Sequence, residues 1–263
     1  MLARVRPVDF VRVSPSGRTQ PVILTCEKQD GDNIDVIAKF SAFCDEGVSN
    51  LIREVIAACL AGDLGLPLPE PVLIEIDDQW VSIIPDASLR ARIAASARVA
   101  FGSKFAGPQF TAWSTGTTLL DIHAPLATAV FAFDGITQNV DRRSDNPNCL
   151  VRGDAIRIID HELAFTHGLV IGWRPPWAQG GLRAMETPGY HIFRAGLRGR
   201  QIDFGPIRAA WVGLSDGRID SYAQLLPPEW AAGAGVAAAA VALIKEARDN
   251  IDACLTEVQR VLA

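Results

Sequence analysis

Residues 139–148 read Asn-Val-Asp-Arg-Arg-Ser-Asp-Asn-Pro-Asn, and twelve residues later an apolar run ends in Ile158-Ile159-Asp160. On its own, a run with two Arg and three Asn invites a turn interpretation. Its company sets it apart. Leu119–Asp134 has helical apolar spacing and leads into it, and Cys149-Leu-Val151 and Ile156–Ile159 follow as a hairpin around Arg152-Gly-Asp154. The hairpin presents Asn148 at one end and Asp160 at the other. The set holds an Asp able to orient a hydroxyl (Asp141), one or two Asn able to hold a metal (Asn146, Asn148), and a second Asp at a strand end. Phosphoryl transfer from a nucleotide needs such a set, because catalysis there is mostly positioning and charge neutralisation through Mg²⁺. Mg²⁺ keeps several waters and needs only one or two protein oxygens, so an Asn and an Asp suffice.

The chain has 263 residues, enough for one large domain or two lobes, and its 49% hydrophobic content is that of a globular protein. A net charge of −5 argues against a broad nucleic-acid surface. The five Cys are scattered and odd in number, which reads as a reduced, cytoplasmic protein without structural zinc. The first residues lack the apolar run of a signal peptide. The Ala-rich stretch near 231–244 reads as too short to span a bilayer. No membrane association is therefore expected.

The first hundred residues are strand-rich with one main helix. Phe10–Val13 and Pro21–Cys26 flank a turn cluster, Ser14-Pro-Ser-Gly-Arg-Thr, and Asn33–Lys39 is a third strand. Apolar residues at 48, 51, 52, 55, 56, 59 and 60 predict a helix from Gly47 to Leu64, ended by Gly62 or Gly65. Val72–Ile76 and Trp80–Ile84 suit a hairpin around Asp77-Asp78. Ser88–Arg98 reads as a short helix, Val99–Ser103 as a last strand, and Gly107-Pro108 as a connector. Beyond it the chain is mainly helical. Residues 172–190 read as a loop, and a helix is expected over 236–262.

Lys39 ends its strand after Val-Ile-Ala. A Lys there can reach phosphate oxygens and needs a carboxylate to hold it, and Glu54 on the following helix is so placed. Taken alone, the two read as a surface Lys and a helix-face Glu. Glu46 is a weaker alternative partner. The turn containing Ser14, Ser16 and Gly17 is no P-loop, yet its backbone N–H groups can cradle phosphates. Asp141 and Asn146 have the five-residue spacing of the His-Arg-Asp-x-x-x-x-Asn loop, while Asn148 directly precedes the strand, so either Asn can be the metal ligand. Asn139 and Asp145 shape the loop, and Asp134 caps or closes the preceding helix. Asp160 is followed by His-Glu rather than Phe-Gly. Ile202-Asp203-Phe204-Gly205 spells the kinase tripeptide but lies too far along the chain, and reads as accidental. The four His form no credible zinc set. The Trp at 173, 177, 211 and 230 read as core or loop anchors.

Assembled in order, these segments resemble the HipA-like kinase family. The resemblance rests on Val-Ile-Ala-Lys39-Phe, the helix with Glu54 running into Leu64-Gly-Leu-Pro-Leu-Pro-Glu-Pro71, and Phe101-Gly-Ser. It continues through Phe133-Asp-Gly-Ile-Thr-Gln-Asn-Val-Asp141-Arg-Arg, Asn146-Pro-Asn-Cys-Leu, Ile159-Asp160-His and Leu226-Pro-Pro-Glu-Trp230. It implies an α+β, two-lobed protein kinase-like fold: a strand-rich N-lobe over 1–106 and a mainly helical C-lobe over 107–263. It implies ATP between the lobes and Mg²⁺ beneath the phosphates. Lys39 would contact phosphates, with Glu54 as its anchor. Asp141 would orient the acceptor hydroxyl, and Asn146 or Asn148 with Asp160 would bind metal. Ser103 would lead into an adenine-contacting hinge. The expected activity is phosphorylation of Ser or Thr hydroxyls of a protein. A small-molecule or lipid-headgroup kinase and a nucleotide-binding pseudokinase remain alternatives, and a regulatory partner is possible. Ser14 and Ser16 are also candidate self-phosphorylation sites.

Overall fold

The computed structural model describes residues 2–14, 19–114 and 116–263. Five strands close into a barrel in the order β1-β2-β3-β5-β4. They are β1 (Ala3–Val13), β2 (Val22–Glu27), β3 (Asn33–Lys39), β4 (Pro71–Glu75) and β5 (Val99–Lys104). All pairings are antiparallel except β1 with β4. Side chains alternate across a strand, so each strand serves two environments. Val22, Leu24, Val36, Ala38, Val72, Ile74 and Ala100 pack together inside the barrel. Their neighbours Ile23, Ile37, Lys39, Phe101 and Ser103 face a cleft on the other side.

Between β3 and β4 lies α1 (Val48–Asp63), whose Leu51, Ile52, Val55, Ile56 and Leu60 are fully buried. The Leu66 N–H donates to Ala61 O (2.9 Å) and the Gly65 N–H to Gly62 O (3.0 Å), with Gly65 at φ +71°. This is the left-handed termination that glycine favours, so Gly65 rather than Gly62 ends the helix. The expected strand at Trp80–Ile84 is instead α2 (Asp78–Ser82), followed by α3 (Ala87–Ala94). Asp77 decides the difference. Its carboxylate accepts the Trp80 N–H at 2.7 Å, so Asp77 opens a helix rather than a hairpin turn.

The helical half begins with α4 (Ala124–Thr137), which starts later than the apolar spacing suggested because Pro125 occupies its first turn. A small sheet joins β6 (Thr111–Ala112), which precedes α4, to the hairpin of β7 (Cys149–Arg152) and β8 (Ala155–Ile158), which follows it. Then come α5 (Arg194–Leu197), α6 (Gly205–Val212), α7 (Asp216–Gln224), α8 (Ala234–Asp249) and α9 (Ile251–Leu262). The single helix expected over 236–262 is two helices, broken where Asn250 leaves helical geometry at ψ 24°. Helices α5 to α7 have four to nine residues, too few for a periodicity to register. The helical span Pro228–Asp249 is also longer than expected, and by length and composition alone it could cross a membrane. Here Ala237, Ala240, Leu243, Ile244 and Ala247 of α8 pack into the core, and α8 lies against α1 and α7. Trp211 and Trp230 are buried anchors, and Trp230 Nε1 donates to Val99 O of β5 at 2.9 Å.

Gly102 shows how tightly the barrel closes. A Cβ there would meet Ile74 Cδ1 and Val72 Cγ2 at 2.8 Å. Gly102→Ala should lower stability by about 1–3 kcal/mol, the usual cost of overpacking. Urea denaturation of the variant checks this, and unchanged stability would contradict the close packing.

Candidate active site

A cleft of about 930 Å³ separates the barrel from the helical half. The alternation in β3 aims Ile37 and Lys39 into it, and α1 brings Glu54 beneath. Lys39 is buried and donates to three carboxylates: Glu54 Oε1 at 2.5 Å, Asp160 Oδ1 at 2.6 Å and Glu162 Oε2 at 2.9 Å. Burial opposes the Lys39 charge, but the three carboxylates outweigh it and hold its pKa well above the ordinary value. Burial likewise opposes the Glu54 charge. The Lys39 ammonium and the His161 imidazole, whose Nδ1 lies 3.6 Å from Glu54 Oε2, hold that carboxyl down at about 2, and the His161 backbone N–H also donates to Oε2 at 3.0 Å. Glu46 is not the partner of Lys39: it takes both ends of the Arg53 guanidinium, at 2.8 and 2.9 Å.

The loop after α4 forms the opposite wall. Gln138 ends the helix in the left-handed conformation, at φ +57°. Asn146 Nδ2 and Asn148 Nδ2 both donate to Asp141 Oδ2, at 2.8 and 3.0 Å. Arg143 Nη2 stands 3.8 Å from the other oxygen, Oδ1. Asp160 follows β8 with φ +60°, a conformation sparsely populated by non-glycine residues. The Ile159 N–H donates to Asn148 O at 3.0 Å, so the two ends of the hairpin are joined as the sequence suggested.

What holds this loop is a buried ion pair that the sequence did not reveal. The Asp134 carbonyl helps close the helix by accepting the Asn139 N–H at 2.8 Å, but its side chain does not cap the helix. It is fully enclosed and accepts Arg142 Nε at 2.6 Å and Asn139 Nδ2 at 2.8 Å. Arg142, 0% exposed, also donates through Nη1 to the carbonyls of Asn148 and Ile159. One guanidinium therefore fastens both the Asn148 and the Asp160 ends of the hairpin to α4. His191 completes the group, with Nε2 3.0 Å from Asp134 Oδ2, while its Nδ1 accepts the Phe193 N–H. That leaves Nε2 to carry the proton toward Asp134. Burial lowers the His191 pKa below its usual value, and Arg142 and His191 together overcome burial to hold Asp134 well below the carboxylate range.

Lys39, Glu54, Asp141, Asn146, Asn148, Asp160, Ser14 and Ser103 thus all line one cleft. Ser16 and Gly17, also predicted here, lie outside the described residues. Asp203 of the Asp-Phe-Gly tripeptide is exposed at the start of α6, where it accepts the Gly205 N–H at 2.8 Å, and is not part of the cleft lining. Glu162 was missed. The only signal for it was the His-Glu that replaces Phe-Gly after Asp160.

A protein-family model described as HipA-like kinase matches residues 8–172, more than half of the chain. The chain belongs to the HipA-like kinase family, and it is a kinase. No curated protein matches it. Among solved structures it is similar in fold to a Helicobacter pylori proinflammatory kinase, CtkA. The TM-score is 0.52 at 10% identity, over 99% of this chain and 97% of that one.

Removing the Asp134 charge strands Arg142 in the interior, so Asp134→Asn should cost about 3–5 kcal/mol, the usual penalty for breaking a buried pair. The Asp134 carboxyl titrates lower folded than unfolded. Its contribution is therefore complete above its unfolded pKa and is lost as pH falls below it. The stability gap between wild type and Asp134→Asn in urea should accordingly be full near neutral pH and shrink once pH drops below about 4.

Proposed function

We propose that this kinase transfers the terminal phosphoryl group of ATP, with Mg²⁺, to a Ser or Thr hydroxyl of a protein. The observation that carries the reading is the convergence on one cleft of Lys39 from the barrel and Asp141, Asn146, Asn148 and Asp160 from the helical half. In this reading residues 1–106 are the N-lobe and 107–263 the C-lobe of a two-lobed kinase fold. The reduced cysteines suit a cytoplasmic location.

The cleft suits a nucleotide by its linings. Ile23, Ile37 and Phe101 on one side and Leu150 and Ile158 on the other offer apolar walls for a flat base. Ser103, near the end of β5, leads to the connecting segment, and Ser14 also lines the cleft. Lys39 holds phosphate oxygens, and Glu54, fixed by His161, keeps Lys39 in place. The metal-facing donors are hard oxygens, which suit Mg²⁺. Asp160 has a partly exposed carboxylate (27%), and Asn146 and Asn148 retain carbonyl oxygens while their NH₂ groups bind Asp141. These residues would hold Mg²⁺, which supplies charge neutralisation at the phosphates. Asp141 keeps one oxygen clear of the two amides, and that oxygen accepts the hydroxyl proton of the acceptor and aims the hydroxyl at phosphorus.

Asp141→Ala should reduce transfer by about 10²–10⁴-fold, the usual worth of a positioned general base, with a melting temperature near wild type. Radiolabelled phosphate transfer from ATP, followed by identification of the labelled species, reads both the loss and the acceptor. Retained turnover in the folded variant would remove Asp141 from this role. Label found on a small molecule or lipid would replace the protein acceptor.

A further inference from the structure

An ammonium has three N–H donors. On Lys39 all three are taken, by Glu54, Asp160 and Glu162 at 2.5, 2.6 and 2.9 Å. A phosphate oxygen can reach Lys39 only by displacing one of them. Glu54 is anchored, since its second oxygen takes the His161 N–H. Asp160 is the most exposed of the three, at 27%, and opens to the cleft. Glu162 is 5% exposed, and its backbone carbonyl is held by Asn50 Nδ2 of α1 at 3.3 Å. It therefore points at Lys39 from a fixed backbone.

Charge sharpens the point. The three carboxylates offer oxygens within 4.8 Å of one another around a single ammonium, so the group carries excess negative charge where polyphosphate would lie. The tripeptide of protein kinases ends in Gly, which has no carboxylate to offer. This chain has Glu162 there.

We infer that Glu162 is a positioning residue that competes with nucleotide phosphates for Lys39 and so sets how tightly the cleft holds a nucleotide. The inference rests on the nucleotide reading of the cleft given above. Asp160, the most exposed of the three, is the carboxylate that gives up a donor of Lys39 to a phosphate, while Glu162 stays beside the ammonium with its negative charge and opposes the incoming anion. Its charge weakens binding both by occupying Lys39 and by repelling the incoming anion.

Titration calorimetry of the full chain with a non-hydrolysable ATP analogue, with and without Mg²⁺, tests this. Glu162→Gln keeps the shape and removes the charge. It should bind the analogue about 10-fold more tightly than wild type in metal-free buffer, since close like charges are costly. The KM for ATP should fall by a similar factor, a change that simple loosening of the site does not produce. Glu162→Asp keeps the charge and should stay near wild-type affinity. Equal or weaker binding by a folded Glu162→Gln overturns the inference. If circular dichroism shows that Glu162→Gln does not fold, Glu162→Ala carries the same expectation and the same refutation. A wild-type chain that binds no analogue overturns the nucleotide reading itself, a result distinct from wild type and variant binding equally.

Discussion

The buried pair of Arg142 and Asp134 is the constraint on which the candidate site depends. A guanidinium enclosed in the core must have its donors matched, or its burial is very costly. Arg142 meets that demand with one carboxylate and two backbone carbonyls, those of Asn148 and Ile159. The requirement imposed by burial thereby becomes a positional one. The loop cannot shift against α4 or against the β7–β8 hairpin without stranding a charge. Asp141 precedes Arg142, and Asp160 follows Ile159, so both chemical groups stand one residue from the fastening points.

The barrel places its share of the site by simpler means. Strand alternation sends Val36 and Ala38 inward and Ile37 and Lys39 into the cleft. The same rule puts Ala100 and Gly102 against the barrel interior and Phe101 and Ser103 toward the cleft. No special contact is needed to aim Lys39, because the barrel core sets the register of β3 and the pleat does the rest. What must be added is neutralisation of the ammonium at depth, supplied by Glu54 and the two carboxylates after β8. The two halves of the chain are thus joined electrostatically at Lys39 as well as through apolar packing.

Much of this was legible in the residues. Lys39, Glu54, Asp141, both Asn and Asp160 stand out as candidates by their types, spacing and flanking apolar runs, and all of them line the cleft, whereas the Asp-Phe-Gly at 203–205 is not part of its lining. Three of the misreadings share a cause: each turns on what a polar residue bonds to. Asp77 looked like a turn residue and is a helix cap. Asp134 looked like a cap and is the buried counterion of Arg142. Glu162 has little local signal, because its contact is with a Lys 123 positions earlier. Sequence spacing carries no information about such partners.

The sequence by itself determined β3, the main helix, the loop and the hairpin of β7 and β8, and most of the polar residues that meet in the cleft. Local propensity and periodicity act over a few residues and can be read in one dimension. The tertiary structure alone decided that Asn146 and Asn148 both hold Asp141, that Arg142 fastens the loop from within, and that three carboxylates rather than one surround Lys39. Those are matters of burial and charge pairing between segments far apart in the chain. Only the folded arrangement brings them within a few ångströms, where electrostatics and hydrogen bonding take effect.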